Sequence, residues 1–390
     1  MSDVRVGIIG FGTMGREHGR YLSDGTIKGA ELAAVCDTRG ETLERAREIC
    51  GKSVQTFDSV EALFAAKCVD AVMIAMPHYQ HPPLSIQAFE HGLHVLTEKP
   101  VGVYTKHVRR MNEAAEGSGK IFAAMFQQRT WGIYKKLKDL LEAGELGEIK
   151  RNCWIATDWY RPQCYFDSGG WRASWAGEGG GVLLNQCPHN LDLWQWLCGM
   201  PKRVRGYCAF GKYHDIEVED DVTAYVEYEN GATGVFITST GEAPGTDRLE
   251  IVGDCGKIVM EDGKLTFWRN RIPERRFNKE YQGGFGAPEC WKCEIPVEAA
   301  DEGEAHYKVT QKWIDAIRKG DSSLLVADGR EGIRSLELSN ATLLSEWTGD
   351  WVELPIDGDL YYSMLEEKIK TSTCKKDTTA ARVLDVKDSF

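Results

Sequence analysis

Gly10-Phe11-Gly12-Thr13-Met14-Gly15 grows directly out of Val4-Arg5-Val6-Gly7-Ile8-Ile9-Gly10, and this junction constrains the chain more than any other stretch. Residues 4–10 have the length and near-continuous hydrophobicity of a strand buried on both faces. The glycines fit Gly-x-Gly-x-x-Gly, and residues 13–22 can continue as a helix. In that arrangement the first glycine permits a tight turn and the second lets backbone approach a pyrophosphate. The third lets the helix lie close against the strand. The next strand, 31–37, ends in Asp37, which lies 22 residues after Gly15. A carboxylate there accepts hydrogen bonds from an adenosine ribose and repels a 2′-phosphate, so NAD is favoured over NADP. Arg39, two residues on, works in the opposite direction.

The alternation continues with helix 40–50, strand 70–75, helix 83–91, strand 94–98, helix 104–117 and strand 121–125. Strands and helices alternating at this spacing predict a parallel, doubly wound sheet over residues 1–125. His94-Val95-Leu96-Thr97-Glu98-Lys99-Pro100 reads as a short buried strand halted by a proline. Lys99 is thereby placed at the carboxyl end of a strand, where ligands of open α/β sheets bind.

From residue 126 the pattern changes. After a helix at 131–143 come strands 149–158, 202–213, 221–229, 232–240, 246–252, 256–261 and 264–268. Glu229-Asn230-Gly231 and Asp262-Gly263 read as hairpin turns. Two late helices, 304–318 and 328–347, complete a second unit, 126–370. The expected fold is therefore an α/β dinucleotide-binding domain followed by an α+β domain on a large, mostly antiparallel open sheet. A polar tail covers 371–390. Such a sheet needs a cover on each face, which predicts a homo-oligomer, a dimer or tetramer, packed through it.

Bulk properties narrow the partners. A net charge of −12 and a pI near 5.4 argue against nucleic acid or an anionic membrane surface. The sequence has no long apolar run of membrane-spanning length and opens without the basic-then-apolar pattern of a secretion segment. The 12 cysteines are scattered, as expected for reduced thiols in a cytoplasmic protein. Cys290 and Cys293 form one close pair without the second pair a structural zinc wants, so no metal is expected.

A second constellation lies at Gly177-Glu178-Gly179-Gly180-Gly181. The glycine run predicts close approach of backbone to a ligand. Residues 182–194 read as a helix that Pro188 must kink or restart. On one helix Asn185 and His189 share a face, and Asp192 reaches the same side. Just upstream, Trp154, Trp159, Tyr160, Arg161, Tyr165, Trp171 and Trp175 crowd together. Aromatic faces pack on the C–H faces of sugars and arginine binds their oxygens, with about half of these aromatics expected in the core. Tyr213-His214-Asp215 is a candidate for a further polar contact.

Taken in order, these motifs resemble the glucose–fructose oxidoreductase / inositol dehydrogenase / MocA family over residues 4–365. The specific part is Glu98-Lys99-Pro100 with Gly102, together with Gly179-Gly180-Gly181 leading to His189 and Asp192. The resemblance implies a Rossmann domain binding NAD(P) and a sheet domain covering a sugar, glycoside or polyol. It implies that Lys99 and His189 face the reacting hydroxyl. It extends the cofactor contacts from Gly10 to Gly15, Asp37 and Arg39 to Ala75, Pro77, His81, Glu98, Lys99, Gln127, Trp171 and Arg172. Substrate contacts are implied for Lys99, Asn185, His189, Arg129, Trp159 and Tyr160. Relatives often carry an aspartate where this chain has Asn185, so a carboxylate-assisted proton relay is not expected here.

Oxidising a secondary alcohol sends a hydride to the nicotinamide and a proton to a base. His189 suits the base, and Lys99 suits either the base or the stabiliser of alkoxide character. Asn185 suits orienting a neighbouring hydroxyl. The aromatic-rich site suits a glycoside or a bulky sugar, and the resemblance implies a further reading, oxidation of a glycoside at C3, C-glycosides included. Inositol or polyol oxidation, keto-sugar reduction, or a sensor or co-regulator that binds NAD(P) without turnover are the alternatives.

Overall fold

The computed structural model describes residues 2–297 and 305–373. Most of the polar tail predicted at 371–390 therefore lies outside the described residues. The first sheet contains β1 (Val4–Ile9), β2 (Ala30–Cys36), β3 (Gln55–Phe57), β4 (Ala71–Ile74), β5 (His94–Thr97) and β6 (Phe122–Ala124). They are parallel throughout, in the order β3-β2-β1-β4-β5-β6. Val6, Ile8, Val72, Met73, Val95 and Leu96 are fully buried, as apolar strands covered on both faces require. The strand order reverses between β1 and β4, which opens a crevice at their carboxyl ends.

The second sheet holds β7 (Ile149–Ala156), β8 (Arg203–Phe210), β9 (Glu219–Glu227), β10 (Thr233–Ser239), β11 (Asp247–Gly253), β12 (Gly256–Glu261), β13 (Lys264–Asn270), β14 (Cys290–Ile295) and β15 (Val352–Glu353). Its nine strands run β14-β13-β12-β11-β7-β10-β9-β8-β15, antiparallel except for the β7–β10 pair. Burial alternates along its strands. The buried face, with Trp154, Phe236, Leu249 and Ile251, shares a core with helices Pro188–Cys198 and Gly332–Thr348. The other face presents Cys153, Ile155, Val235 and Ile237, each half-buried.

Three features depart from the sequence pattern. Residues 182–187 form turns, not helix, and the helix begins at Pro188. Proline has a fixed φ and no amide hydrogen, which suits the first helical position and no interior one. Asn185 therefore shares no helix face with His189. Second, helix Ala305–Lys319 covers the first sheet: Val309, Trp313 and Ile314 share a core with Val6, Ile8, Met73 and Leu96. Its amphipathic period says which face is buried but not against which sheet. The chain then touches the first sheet's edge, where the Ala124 amide donates to the Ala327 carbonyl at 3.3 Å. Third, β14 and helix Gly358–Lys370 are present without a clear signal in the sequence. Cys290 and Cys293 stand three apart on β14 and so point to opposite faces.

Candidate active site

β1 ends at Ile9 and the chain turns at Gly10, where φ is +90°. A Cβ at Gly10 would lie 2.5 Å from the Ala75 carbonyl oxygen, and one at Gly15 would lie 2.1 Å from the Gly10 carbonyl oxygen. Strand, turn and helix close this tightly only with glycine at both positions. At Gly12, by contrast, a Cβ would meet nothing within 4 Å. Gly12 stands at the amino end of helix Thr13–Ser23, whose first-turn amides have no partner within the helix. Phe11 is buried, while Thr13 and Met14 are half-buried beside it. Asp37 backs the loop. Its Oδ2 accepts the Phe11 amide at 3.0 Å and its Oδ1 the Arg39 amide at 3.0 Å, with Arg39 Nε 3.4 Å away. An open glycine turn at a helix amino end, with a carboxylate beside it, fits the pyrophosphate and ribose of NAD.

The loops after β4 and β5 flank this turn. His81 is buried, with Nδ1 2.6 Å from the Pro100 carbonyl oxygen and Nε2 2.6 Å from that of Met76. Both ring nitrogens are committed to backbone. His81 braces the Ala75–Pro77 loop against the Lys99–Pro100 loop. Glu98 is turned inward: its Oε1 lies 2.6 Å from His18 Nε2, and its Oε2 accepts the Lys99 amide at 3.2 Å. Burial alone would raise the Glu98 carboxyl, but the hydrogen bond and charge of His18 outweigh it and hold the carboxyl below its ordinary range. Lys99 points the other way, and its Nζ donates to the Asn185 carbonyl oxygen at 2.8 Å. Burial lowers the Lys99 pKa, aided by Arg161 and Arg172 and opposed by Glu98 and Glu178.

His189 comes from the first turn of helix Pro188–Cys198 and lies near enough to Lys99 to feel its charge. Its Nε2 is 3.2 Å from Gln127 Nε2, and Phe126 packs edge-on against the ring at 6.2 Å between centroids. Its Nδ1 has no hydrogen-bond partner among the described residues. Burial, and then the charge of Lys99, push the His189 pKa well below 6.5, so the ring is neutral. A half-turn of the Gln127 amide exchanges donor for acceptor, so it can follow either state of the ring.

Arg129 and Asp192 do not join this group. Arg129 is buried, grips both Asp192 oxygens at 2.7 Å and donates to Glu331 at 2.8 Å. Its donors are spent on a bidentate pair with Asp192 and on Glu331, so in this structure they are directed to protein. His214 is likewise held by Asp220 at 3.1 Å and by the Arg161 carbonyl at 2.8 Å.

The aromatic crowd divides. Trp154 and Trp175 are buried in the core. Trp159 donates to Asn190 at 2.9 Å, next to His189, and Tyr160 is 47% exposed. Trp171 meets His78 edge-on at 5.4 Å, and the Arg172 guanidinium lies 4.6 Å from the Trp171 ring centre and 4.5 Å from that of Tyr165. The turn 169–177 thus leans on the β4 loop and closes the cleft from one side.

The glycine run serves packing. Gly179 has φ +85° and its Cβ would lie 2.3 Å from Val103, while a Cβ at Gly181 would lie 2.0 Å from the Glu219 carbonyl oxygen. The close approach is to protein, which corrects the expectation of a ligand there. Glu219, buried, accepts the Gly181 and Leu183 amides at 2.9 and 3.1 Å, and burial pushes its carboxyl up to about 7. Nothing in the sequence around 219 marks this role. Glu178 and His18 also went unmarked. A carboxylate set between glycines was the available signal for the first, and an inward-facing histidine on the glycine-motif helix for the second.

Comparison with known proteins agrees with this geometry. The model of the oxidoreductase family with an NAD-binding Rossmann fold matches residues 4–126, and that of the GFO/IDH/MocA C-terminal domain matches residues 134–259. The chain is 27% identical over 266 residues to scyllo-inositol 2-dehydrogenase (NAD(+)) of Bacillus subtilis, covering 66% of this chain and 73% of that protein. It is 29% identical over 249 residues to D-glucoside 3-dehydrogenase of Escherichia coli, covering 59% and 68%. The crystal structure of the WlbA dehydrogenase of Chromobacterium violaceum with NADH and UDP-GlcNAcA superposes with a TM-score of 0.77 at 28% identity, covering 92% of this chain and 97% of that one. The chain is an NAD-binding oxidoreductase and belongs to the Gfo/Idh/MocA family.

Proposed function

We propose that the chain oxidises a secondary hydroxyl of a sugar, glycoside or polyol, and that C3 of a glycoside is the position oxidised. The observation that supports this most is that Lys99, from the carboxyl end of one sheet, lies within reach of the charge-sensitive His189, from a helix on the other. Similarity to a D-glucoside 3-dehydrogenase supports the C3 assignment, and similarity to a scyllo-inositol dehydrogenase supports a polyol as the second reading. The Gly10–Gly15 turn and Asp37 would hold NAD, which accepts the hydride from the substrate carbon when bound.

The hydroxyl proton is left to the protein. A neutral imidazole accepts it, and an ammonium beside the same oxygen stabilises alkoxide character as the C–H bond breaks. The alcohol loses one hydride and one proton, and the ketone forms without any other reactant. In the reverse direction the same pair returns the proton to a keto-sugar. Trp159, held beside His189, and Tyr160 offer aromatic faces to the sugar, and Asn185 presents its backbone carbonyl to Lys99. We further propose that the half-buried face of the second sheet associates with a second copy of the chain.

The test is to incubate the purified protein with NAD and a panel of methyl glucosides, C-glycosides and inositols, following NADH and identifying products by mass spectrometry. A 3-keto glycoside is the expected product. NADH formed only with free inositols overturns the glycoside assignment, and no turnover with normal NAD binding overturns the enzymatic one.

A further inference from the structure

Glu178 is a buried carboxylate that the proton chemistry above leaves unused. It lies between Gly177 and Gly179, and its side chain is shut off from solvent. Each oxygen is held: Oε2 accepts the Ala173 amide at 2.6 Å, and Oε1 accepts a short hydrogen bond from the Asn185 side-chain amide. The Asn185 backbone carbonyl is the group that receives Lys99 Nζ at 2.8 Å. A three-residue chain thus runs from carboxylate to amide to ammonium, and among the described residues no cation touches Glu178 more closely than Arg172, 3.9 Å from Oε1.

We propose that Glu178 is a positioning residue of this site: it fixes Asn185, through the Asn185 carbonyl it fixes Lys99, and it supplies a negative charge that the lysine faces. The inference rests on Lys99 handling the substrate oxygen. Asn185 accordingly does not leave the site without a carboxylate; the charge stands one hydrogen bond further back, on the glycine turn. Its neutral partner explains why an amide serves at 185, since a carboxylate there would meet Glu178 head-on and repel it.

The groups facing Glu178 come from every neighbouring element. Arg172 and Tyr165 flank it on its own side, Lys99 comes from the loop after β5, His78 from the loop after β4, and Glu219 from β9; burial raises the Glu178 carboxyl, while Arg172, the Ala173 amide, the Asn185 amide and Lys99 favour its ionised form. Removing one negative charge from this set lowers the proton affinity of Lys99, whichever way the lysine is used.

The test measures the Lys99 amine directly. Lys99 is half-buried, so its rate of acylation by a small anhydride can be followed by mass spectrometry over a pH series, in NAD-free protein and without any substrate. Glu178→Gln is expected to lower the Lys99 labelling pKa by about one pH unit. With the glycoside panel it is expected to lower kcat about tenfold while NAD affinity stays unchanged. The double variant Glu178→Gln with Asn185→Asp moves the charge across the same hydrogen bond and is expected to recover most of both. An unchanged Lys99 pKa in Glu178→Gln, or a double variant no better than the single, overturns the inference. If Glu178→Gln does not fold, Asn185→Ala replaces it: the carboxylate loses the amide donor that favours its ionised form, so the Lys99 pKa falls, and an unchanged value overturns the inference. Absence of turnover on every sugar alongside a shifted labelling pKa overturns the proposed function and leaves the role of Glu178 standing.

Discussion

His18 Nε2 lies 2.6 Å from Glu98 Oε1, and both side chains are closed to solvent. The bond ties the helix that starts at the glycine turn to the residue just before Lys99. A carboxyl held below its ordinary range contributes stability above its unfolded pKa and loses it as pH falls through the folded one. His18→Leu breaks a buried pair and strands a carboxylate, so it is expected to cost about 3–5 kcal/mol at neutral pH. Urea denaturation over a pH series checks this: the gap between variant and parent should narrow on acidification, and a gap that widens refutes the pair's ionic role.

His189 should act as a neutral base well into the acid range. Its pKa lies well below 6.5 because of burial and the charge of Lys99. Activity is therefore expected to persist as pH falls through the ordinary histidine range, with loss only further down. His189→Ala should remove that acid limb from the kcat/KM profile and slow turnover roughly 10²–10⁴-fold, with NAD binding kept. Titrated NADH fluorescence and steady-state rates measure both quantities.

Asp37 should decide between NAD and NADP. Its carboxylate stands at the end of β2 beside the glycine turn, and Arg39 lies 3.4 Å away. Asp37→Ser removes a charged acceptor worth about 1.5–3 kcal/mol and releases Arg39 for a 2′-phosphate. The preference for NAD should fall by roughly one to two powers of ten. Comparison of kcat/KM for the two cofactors checks it.

The half-buried sheet face should be an association surface. Cys153, Ile155, Val235 and Ile237 share it on neighbouring strands in register, with Val235 opposite Cys153 and Ile237 opposite Ile155. Ile237→Lys places a charge in the middle of that patch. Light scattering is expected to show an oligomer for the parent chain and a smaller species for the variant. A monomeric parent chain would reject the surface.

What the sequence made legible was local. The Gly10–Gly15 turn, Asp37 and the strand before Lys99 were readable because each rests on backbone geometry within a few residues. The relation of Asn185 to His189 was misjudged because Pro188 permits both a kink and a fresh start, and only the packing of Val182 and Gly181 on Glu219 selects the second. Arg129 looked free because its partner Asp192 is 63 residues away in sequence. His81 looked like a ligand because its two carbonyl partners lie on loops that only the folded sheet brings together. Glu178 was hidden for the same reason: its meaning depends on which amide it meets.

Helix Ala305–Lys319 has a consequence for how the protein is made. Trp313 fills the core of a sheet whose first strand contains Val6, so the cofactor domain is sealed by a segment made long after its own six strands. At roughly 5–20 residues per second, the sheet waits on the order of ten seconds, with one apolar face uncovered, before its lid is synthesised. A nascent or truncated chain lacking this helix should expose that face to chaperones and hold the glycine turn less firmly.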